Sequence, residues 1–461
     1  MTSRLDKIAN QIEETRLSKD DEVTNKSDGA SASGASHVFD AKQIDPVLAR
    51  KMALVNAAID EIGMTRFQWK LFWLNGFGYA VDSLLVVCQS IANPAVQQQY
   101  GRPSAHISGI PMASQIGLLV GAGLWGFSAD VIGRKLAFNT SLFSCAVFVI
   151  IAGGMPSYIS FASLYVYQSP RHAPEADRES SVALYSAGAG GNYIIDATNF
   201  LEFLPTSHAW LVTFMAVWWA VGYMITGFLA WAFMSNFSCA PKATPATCST
   251  SDNMGWRYLH FTCGALVFVL ALARLAFVKM VQTPRWLIAQ NRDEEVIQTL
   301  NNISIKARRP HSLTLEKLQA EGVVLHTEKS VWSSLRLKMH FKGLFQTRKL
   351  AWSTTLILSN WFVIGMVSPL FSVFLPFYLK SRGAQFGSGS NYATWRDYAI
   401  NHVAGLFGPI IAAVLVETKF LGRRGTLATG AFITMLFQFG YTQIRTEAQN
   451  VGVSSAISAA S

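Results

Sequence analysis

Nine stretches of this chain are too apolar and too long to share one water-soluble core. They run over about 72–91, 108–127, 136–153, 183–204, 210–233, 259–281, 350–375, 399–416 and 426–443. Each approaches the ~20 residues that carry a helix across the hydrocarbon of a bilayer. A single such run also suits a buried helix of a soluble domain. Nine of them predict an all-α membrane protein with about nine or ten transmembrane helices, because a helix satisfies its own backbone groups in lipid. Composition agrees. Charged residues are 14% of the chain, against about 25% in soluble domains, which is too few to solvate a surface of this size.

The net charge of +10 would favour nucleic-acid binding in a soluble chain. No helix-turn-helix, zinc-knuckle or aromatic–basic strand pattern accompanies it, so no nucleic-acid partner is expected. The placement of the charge gives a different reading. With the N-terminus inside, 28 of the 38 Lys and Arg fall on cytoplasmic segments and 8 on outer ones. Basic loops stay on the cytoplasmic side, so the +10 is a topology signal. No cleavable signal peptide is seen, and a later helix must serve as the membrane signal.

Five segments follow. Residues 1–43 are polar and rich in Ser and Gly, as a disordered cytoplasmic tail would be. Residues 44–65 predict an amphipathic helix. Asp45 suits its N-cap, Pro46 its first position and Gly63 its stop, with Leu48, Met52, Val55, Ile59 and Ile62 on one face. It is expected either to lie on the membrane surface or to pack beneath the bundle. Residues 66–281 hold six helices. Residues 282–349 form a cytoplasmic linker with short helices near Asp293–Ile303 and Ser312–Ala320, and 350–461 hold an incomplete second set. The five Cys form no CxxC pair, so no zinc or thioredoxin-like site is indicated, and no cofactor is expected. Cys239 and Cys248 share an outer loop, where a disulfide is allowed by compartment while its geometry is left open.

The strongest local motif is Gly126-Phe-Ser-Ala-Asp130-Val-Ile-Gly133-Arg134-Lys135, after the second run. Its glycines permit close helix approach and a sharp turn, and Asp130 is placed to meet a helix end or an arginine. A related loop, with Glu417, Gly422, Arg423 and Arg424, follows the eighth run. The two sit six runs apart, as an internal duplication requires. Together they read as a charged latch that breaks and reforms. Glu202, at the end of the fourth run, is expected to pair with Arg134 or else to be solvated.

With these motifs the chain resembles the major facilitator superfamily, near the sugar porter and synaptic-vesicle-glycoprotein-like branches. Further strings carry the likeness: Gly190-Gly-Asn192, Asp196, Glu202-Phe-Leu-Pro205, Trp218-Trp219, Gly255-Trp-Arg257-Tyr and Pro284-Arg285-Trp286-Leu287. The resemblance covers about residues 60–461 and implies the two-half fold and alternating access, with Arg285 in the latch. It also exposes departures. Gln282 stands where relatives carry an acid, His208 where sugar porters carry arginine, and Glu417 is displaced. Residues 168–181 interrupt a continuous stretch and cannot cross hydrocarbon, and helices 10–12 are expected to be absent, with only the start of the tenth near Val451–Ser461. A faulty gene model and a natural insertion with truncation both explain this.

Asp82 lies mid-run, where a carboxylate costs roughly 2.5–3.5 kcal/mol and must face the bundle interior or a watery cavity. It is read as a proton-coupling or substrate residue, with a structural carboxylate as the alternative. Asn192 and Asp196 share one helical face, beside Gly188, Gly190 and Gly191, and either line a cavity or pack. Gln115 is a similar case. Trp218, Trp219, Tyr223, Asn360 and Trp361 form either an aromatic and amide cavity wall or interfacial anchors. Arg274 is expected to snorkel to the interface, the alternative being a pair with a membrane carboxylate.

These residues suggest a secondary transporter for a small polar organic solute, proton-coupled, in the plasma membrane or an organelle membrane. A transport-inactive sensor with the same fold is the alternative. There is no paired nucleophile and base, so no enzyme is expected. The orientation has a direct check. An impermeant thiol reagent applied to intact cells should label a cysteine engineered near Lys242 and spare one near Arg308; the reverse pattern overturns the topology.

Overall fold

A computed structural model describes residues 46–100, 109–132, 134–154, 180–240, 243–277, 282–324, 344–345, 347–363 and 390–460. Every regular element among them is helical. The first set comprises α1 (Pro46–Ile62), α2 (Arg66–Tyr100), α3 (Gly109–Ile132), α4 (Arg134–Gly153), α5 (Ser180–Leu201), the short α6 (Trp210–Phe214), α7 (Ala216–Met234) and α8 (Gly255–Phe277). The linker folds as α9 (Pro284–Ala289), α10 (Asp293–Ala307) and α11 (Leu315–Ala320). A helix α12 over 348–363 follows, then α13 (Asn391–Ala404), α14 (Phe407–Val416), α15 (Gly422–Tyr441) and α16 (Glu447–Ala460).

Four described segments are long and apolar enough to span a bilayer: Arg66–Val96, Thr206–Met234, Gly255–Leu275 and Asn391–Val416. Shorter apolar stretches run over Ile116–Ala129 and Asn139–Gly153. The other expected spans fall on α5, α12 and α15. The fourth long segment corrects the eighth expected run, starting eight residues earlier at Asn391 and breaking briefly after Ala404. Polar residues such as Asn391, Arg396 and Asp397 hid that start. The 1–43 tail and the 168–181 insertion lie outside the described residues.

Helix α2 packs against α5, α7 and α8, while α5 also packs against α3 and α4. The α3–α5 contact depends on missing side chains. A Cβ on Gly190 would lie 2.2 Å from the Leu118 carbonyl oxygen, and one on Gly191 would lie 2.2 Å from Trp125 Cδ1. Small residues of this kind let helix backbones approach where lipid offers no hydrophobic drive. At Gly126, by contrast, a Cβ would meet nothing within 4 Å among the described residues. Between the helix sets, α13 packs on α7, and α13 is backed by α16.

The amphipathic helix α1 packs beneath the bundle. Val55, Ile59 and Ile62 join one buried cluster with Phe200, Phe203 and Leu211 of the bundle and Leu287 and Leu300 of the linker. Polar ties fix the register. Lys51 Nζ lies 2.5 Å from Asp293 Oδ2, with Lys51 almost fully buried, and Arg50 Nε lies 2.6 Å from Glu321 Oε2. Asp60 accepts from the Thr206 backbone N–H at 2.7 Å and from its hydroxyl at 2.8 Å. Glu61 accepts from the Ser312 N–H at 2.6 Å and from its hydroxyl at 2.7 Å. These Ser312 bonds, aided by His311 and Lys317, hold the Glu61 carboxylate below its usual pKa. A depressed folded value means the tie is complete above the ordinary carboxylate range and is lost as pH falls through the lowered value.

The Cys239 and Cys248 sulfurs are bonded, with Cα atoms 5.8 Å apart. Asn391 Nδ2 at the start of α13 donates to the Cys239 carbonyl at 3.0 Å.

The α1 ties generate a stability prediction. Lys51→Met leaves the largely buried Asp293 carboxylate without its cation, at a cost of about 3 kcal/mol. Adding Asp293→Leu should recover most of the loss in thermal unfolding of the purified chain. A double variant as unstable as the single one would show that the pair does not organise the docking.

Candidate functional site

Two polar features lie among the apolar helices. The first is an ion pair between Asp196 of α5 and Arg274 in the last turn of α8. Arg274 Nη2 lies 3.2 Å from Asp196 Oδ1 and 3.1 Å from Oδ2. Asp196 is 0% exposed and Arg274 2%. The same nitrogen reaches the Leu74 carbonyl of α2 at 3.4 Å. Gly78 of α2 makes the room, since a Cβ there would lie 1.6 Å from Asp196 Oδ2 and 2.2 Å from Arg274 Nη2. Three helices thus converge on one pair of opposite charges. The expectation that Arg274 snorkels is corrected: its guanidinium is buried against a carboxylate of α5, 78 residues earlier in the chain. Isolated charges at this depth are costly, and pairing is what makes them tolerable.

A cavity of about 550 Å³ reaches this pair, lined by Arg66, Trp69, Lys70, Trp73, Phe77 and Arg274 among others. One turn before Gly78 lies Asn75, fully buried. Neither of its amide atoms has a hydrogen-bond partner among the described residues. Sequence reading missed it, although a polar residue between Leu74 and Gly76 inside an aromatic run is a visible signal. Asp82 lies one turn beyond Gly78 on α2. It is 3% exposed and within electrostatic reach of the Cys145 thiol on α4. It therefore faces the interior of the first helix set. Its neighbour Ser83 donates to the Trp219 carbonyl at 2.8 Å and joins α2 to α7.

The second feature is an aromatic seam where α7 meets α13. The two adjacent tryptophans part company. Trp218 is buried in the first set, with its ring centroid 4.9 Å from those of both Trp73 and Phe77. Trp219 lies 6.2 Å from Tyr79 and 6.5 Å from Tyr223. Tyr223 then meets His402 of α13 at 5.3 Å, and His402 meets Tyr398 at 4.4 Å. Gly227 of α7 allows the approach, because a Cβ on it would lie 3.1 Å from Ala399 Cα. Sequence reading missed His402 and Tyr398, which belong to the helix whose start was placed too late. Asn360 and Trp361, expected in the same wall, sit instead on an exposed face of α12, where Trp361 is 62% exposed.

Gly133 and the side chains of Gln115, Asp130, Arg134, Lys135 and Asn192 lie outside the described residues. The expected Glu202–Arg134 pair lies there with them. Arg285, Glu417, Arg423 and Arg424 are exposed, and no ion pair among the described residues joins them. Among the described residues no group of three His, Cys, Asp or Glu is placed to hold a metal ion.

A family model described as Major Facilitator Superfamily matches residues 75–457. The chain belongs to the major facilitator superfamily. It is a multi-pass membrane transporter and not an enzyme. It is 37% identical to the major facilitator-type transporter hxnZ of Emericella nidulans over 88% of this chain and 71% of that protein. Identity is again 37% to the MFS siderochrome iron transporter 1 of Ceriporiopsis subvermispora, over 88% of this chain and 76% of that one. Its fold is similar to that of the xylose transporter XylE from E. coli in a partially occluded inward-open conformation. The TM-score is 0.53 at 15% identity, covering 86% of this chain and 82% of that chain.

In this major facilitator protein the ion pair should dominate stability. Asp196→Asn leaves Arg274 buried without its counter-charge and should cost about 3–5 kcal/mol. Asp196→Asn with Arg274→Met removes the stranded charge and should recover most of that loss in a detergent melting assay. Equal melting of wild type and Asp196→Asn would show that the pair contributes nothing.

Proposed function

We propose that this chain moves a small polar organic solute by alternating access, coupled to protons, with its N-terminus in the cytoplasm of a plasma-membrane carrier. The observation that carries the reading is the aromatic seam between α7 and α13. There the two helix sets meet through flat side chains and a glycine, with no interlocking charge among Trp219, Tyr223, Tyr398 and His402. Ring faces slide and tilt at modest cost, whereas a buried ion pair does not, so motion is expected at the seam. The Asp196–Arg274 pair instead holds α2, α5 and α8 together as one body.

The seam rings also supply the apolar surface for a solute, and Tyr223, Tyr398 and His402 supply polar atoms to orient it. The loops after α3 and α14, with Asp130, Arg134, Lys135, Glu417, Arg423 and Arg424, act as the latch that stabilises one access state. Asp196 is committed to a fixed guanidinium, so the proton role is assigned to Asp82. Its carboxylate takes up a proton in one state and releases it in the other. Two relatives at 37% identity are transporters by name, which supports solute movement over the sensor reading.

Asp82→Asn keeps the shape of the protonated acid. In proteoliposomes it should retain solute binding or exchange and lose accumulation driven by a pH gradient. Gradient-driven accumulation equal to wild type would remove Asp82 from proton coupling. Binding with no uptake by wild type itself would favour the sensor reading.

A further inference from the structure

The segment between α10 and α11 carries a hydroxyl in an unusual position. Ser312 is exposed, and both its N–H and its hydroxyl donate to the one carboxylate of Glu61, at 2.6 and 2.7 Å. The residues before it are Arg308, Arg309, Pro310 and His311, and both arginines are exposed. Arg309 has a second attachment to α1: its Nη1 donates to the Ile62 and Met64 carbonyls at 3.1 and 3.2 Å. The end of α1 is thus held to this segment by one carboxylate that needs hydroxyl and amide donors, and by one arginine.

We propose that Ser312 is a phosphorylation site and that its phosphate uncouples the linker from α1. This rests on the linker being cytoplasmic, where nucleoside triphosphates and protein kinases are found. In the transfer, the Ser312 oxygen forms a bond to the γ-phosphorus of a nucleoside triphosphate. The bond from that phosphorus to the β–γ bridging oxygen breaks, the hydroxyl proton passes to the kinase's base, and the nucleoside diphosphate leaves. An arginine three residues before the acceptor, here Arg309, suits a kinase with an acidic substrate cleft.

The product reverses the local chemistry. A donor facing Glu61 becomes a group of charge near −2 with acceptor oxygens only, and like charges at this distance repel. The same phosphate attracts Arg309 by a charge-assisted bond, drawing it off the Ile62 and Met64 carbonyls. Both attachments of this segment to the end of α1 are then lost together. Asp60 still holds Thr206, and Lys51 still holds Asp293. The helix therefore stays with the bundle while the linker is freed at its α10–α11 corner. Thr206 makes the same pair of bonds to a carboxylate, but Leu201 to Pro205 before it include no basic residue, so the assignment falls on Ser312 alone.

The test uses the full chain in lipid nanodiscs, a kinase that requires arginine three residues before its target, and magnesium ATP. Peptide mass spectrometry should place one phosphoryl group on Ser312, and none there in Ser312→Ala. Hydrogen exchange over 308–314 should then rise about tenfold while the 48–55 segment stays protected. Ser312→Glu should reproduce the faster exchange, and adding Glu61→Lys should restore protection. Absence of phosphate on Ser312 overturns the site, and phosphate there with unchanged exchange overturns the uncoupling. Impermeant labelling of Arg308→Cys in intact cells reports separately on the side of the membrane, so a wrong orientation is told apart from a wrong site.

Discussion

A charge in hydrocarbon must be matched by another charge or by water, and the centre of this molecule is arranged around that requirement. Arg274 and Asp196 satisfy each other at 3.1 Å with almost no exposure. The match requires α8 and α5 to hold one rotation and one depth, and requires α2 to pass so close that only glycine fits at position 78. Neighbouring features follow from that register. Asn75 is carried into the interior one turn earlier, and Asp82 is carried toward Cys145 one turn later. The cavity beside the pair opens where Trp69, Trp73 and Phe77 leave the same helix on the adjoining face.

Away from this centre, the contact between the helix sets has a different character. The α7–α13 contact uses rings, a histidine and Gly227, all groups that accept small changes of angle. Beneath the bundle the contacts are polar and directional, with the adjacent Asp60 and Glu61 reaching separately to Thr206 and Ser312. One helical turn of α1 thereby touches the bundle and the linker at once. A rigid first set, an adaptable seam and a set of breakable polar ties are the three mechanical elements that these residues provide.

Much of this was legible beforehand, for identifiable reasons. Apolar run length announced the helices because lipid leaves few alternatives. The periodicity of Val55, Ile59 and Ile62 announced α1, and the glycines at 190 and 191 announced a close helix approach without naming α3 as the partner. What stayed hidden depended on rotation and depth. Arg274 near a helix end looks the same in sequence whether it snorkels or pairs, since the choice is made by a carboxylate 78 residues away. Trp218 and Trp219 were expected to share a wall, yet neighbours on a helix point about 100° apart, and only packing decides which one meets α13. Tyr398 was missed because Asn391, Arg396 and Asp397 disguise the start of its helix as a loop, and His402, inside the expected run, because only the packing of α13 on α7 brings it to Tyr223.

The Cys239–Cys248 bond has a consequence for how the two helix sets part. Among the described residues, the loop it closes is bonded to α13 by one hydrogen bond, from the Asn391 amide to the Cys239 carbonyl. A loop held in shape only by weak contacts would unravel as α13 moved off, and it would have to be rebuilt in every cycle. The covalent staple keeps the carbonyl aimed at the same point whether or not Asn391 is there to meet it. Parting the loop from α13 then breaks the Asn391 bond without costing the loop its order, so the loop works as a preformed strike plate against which the helix can close again without a search.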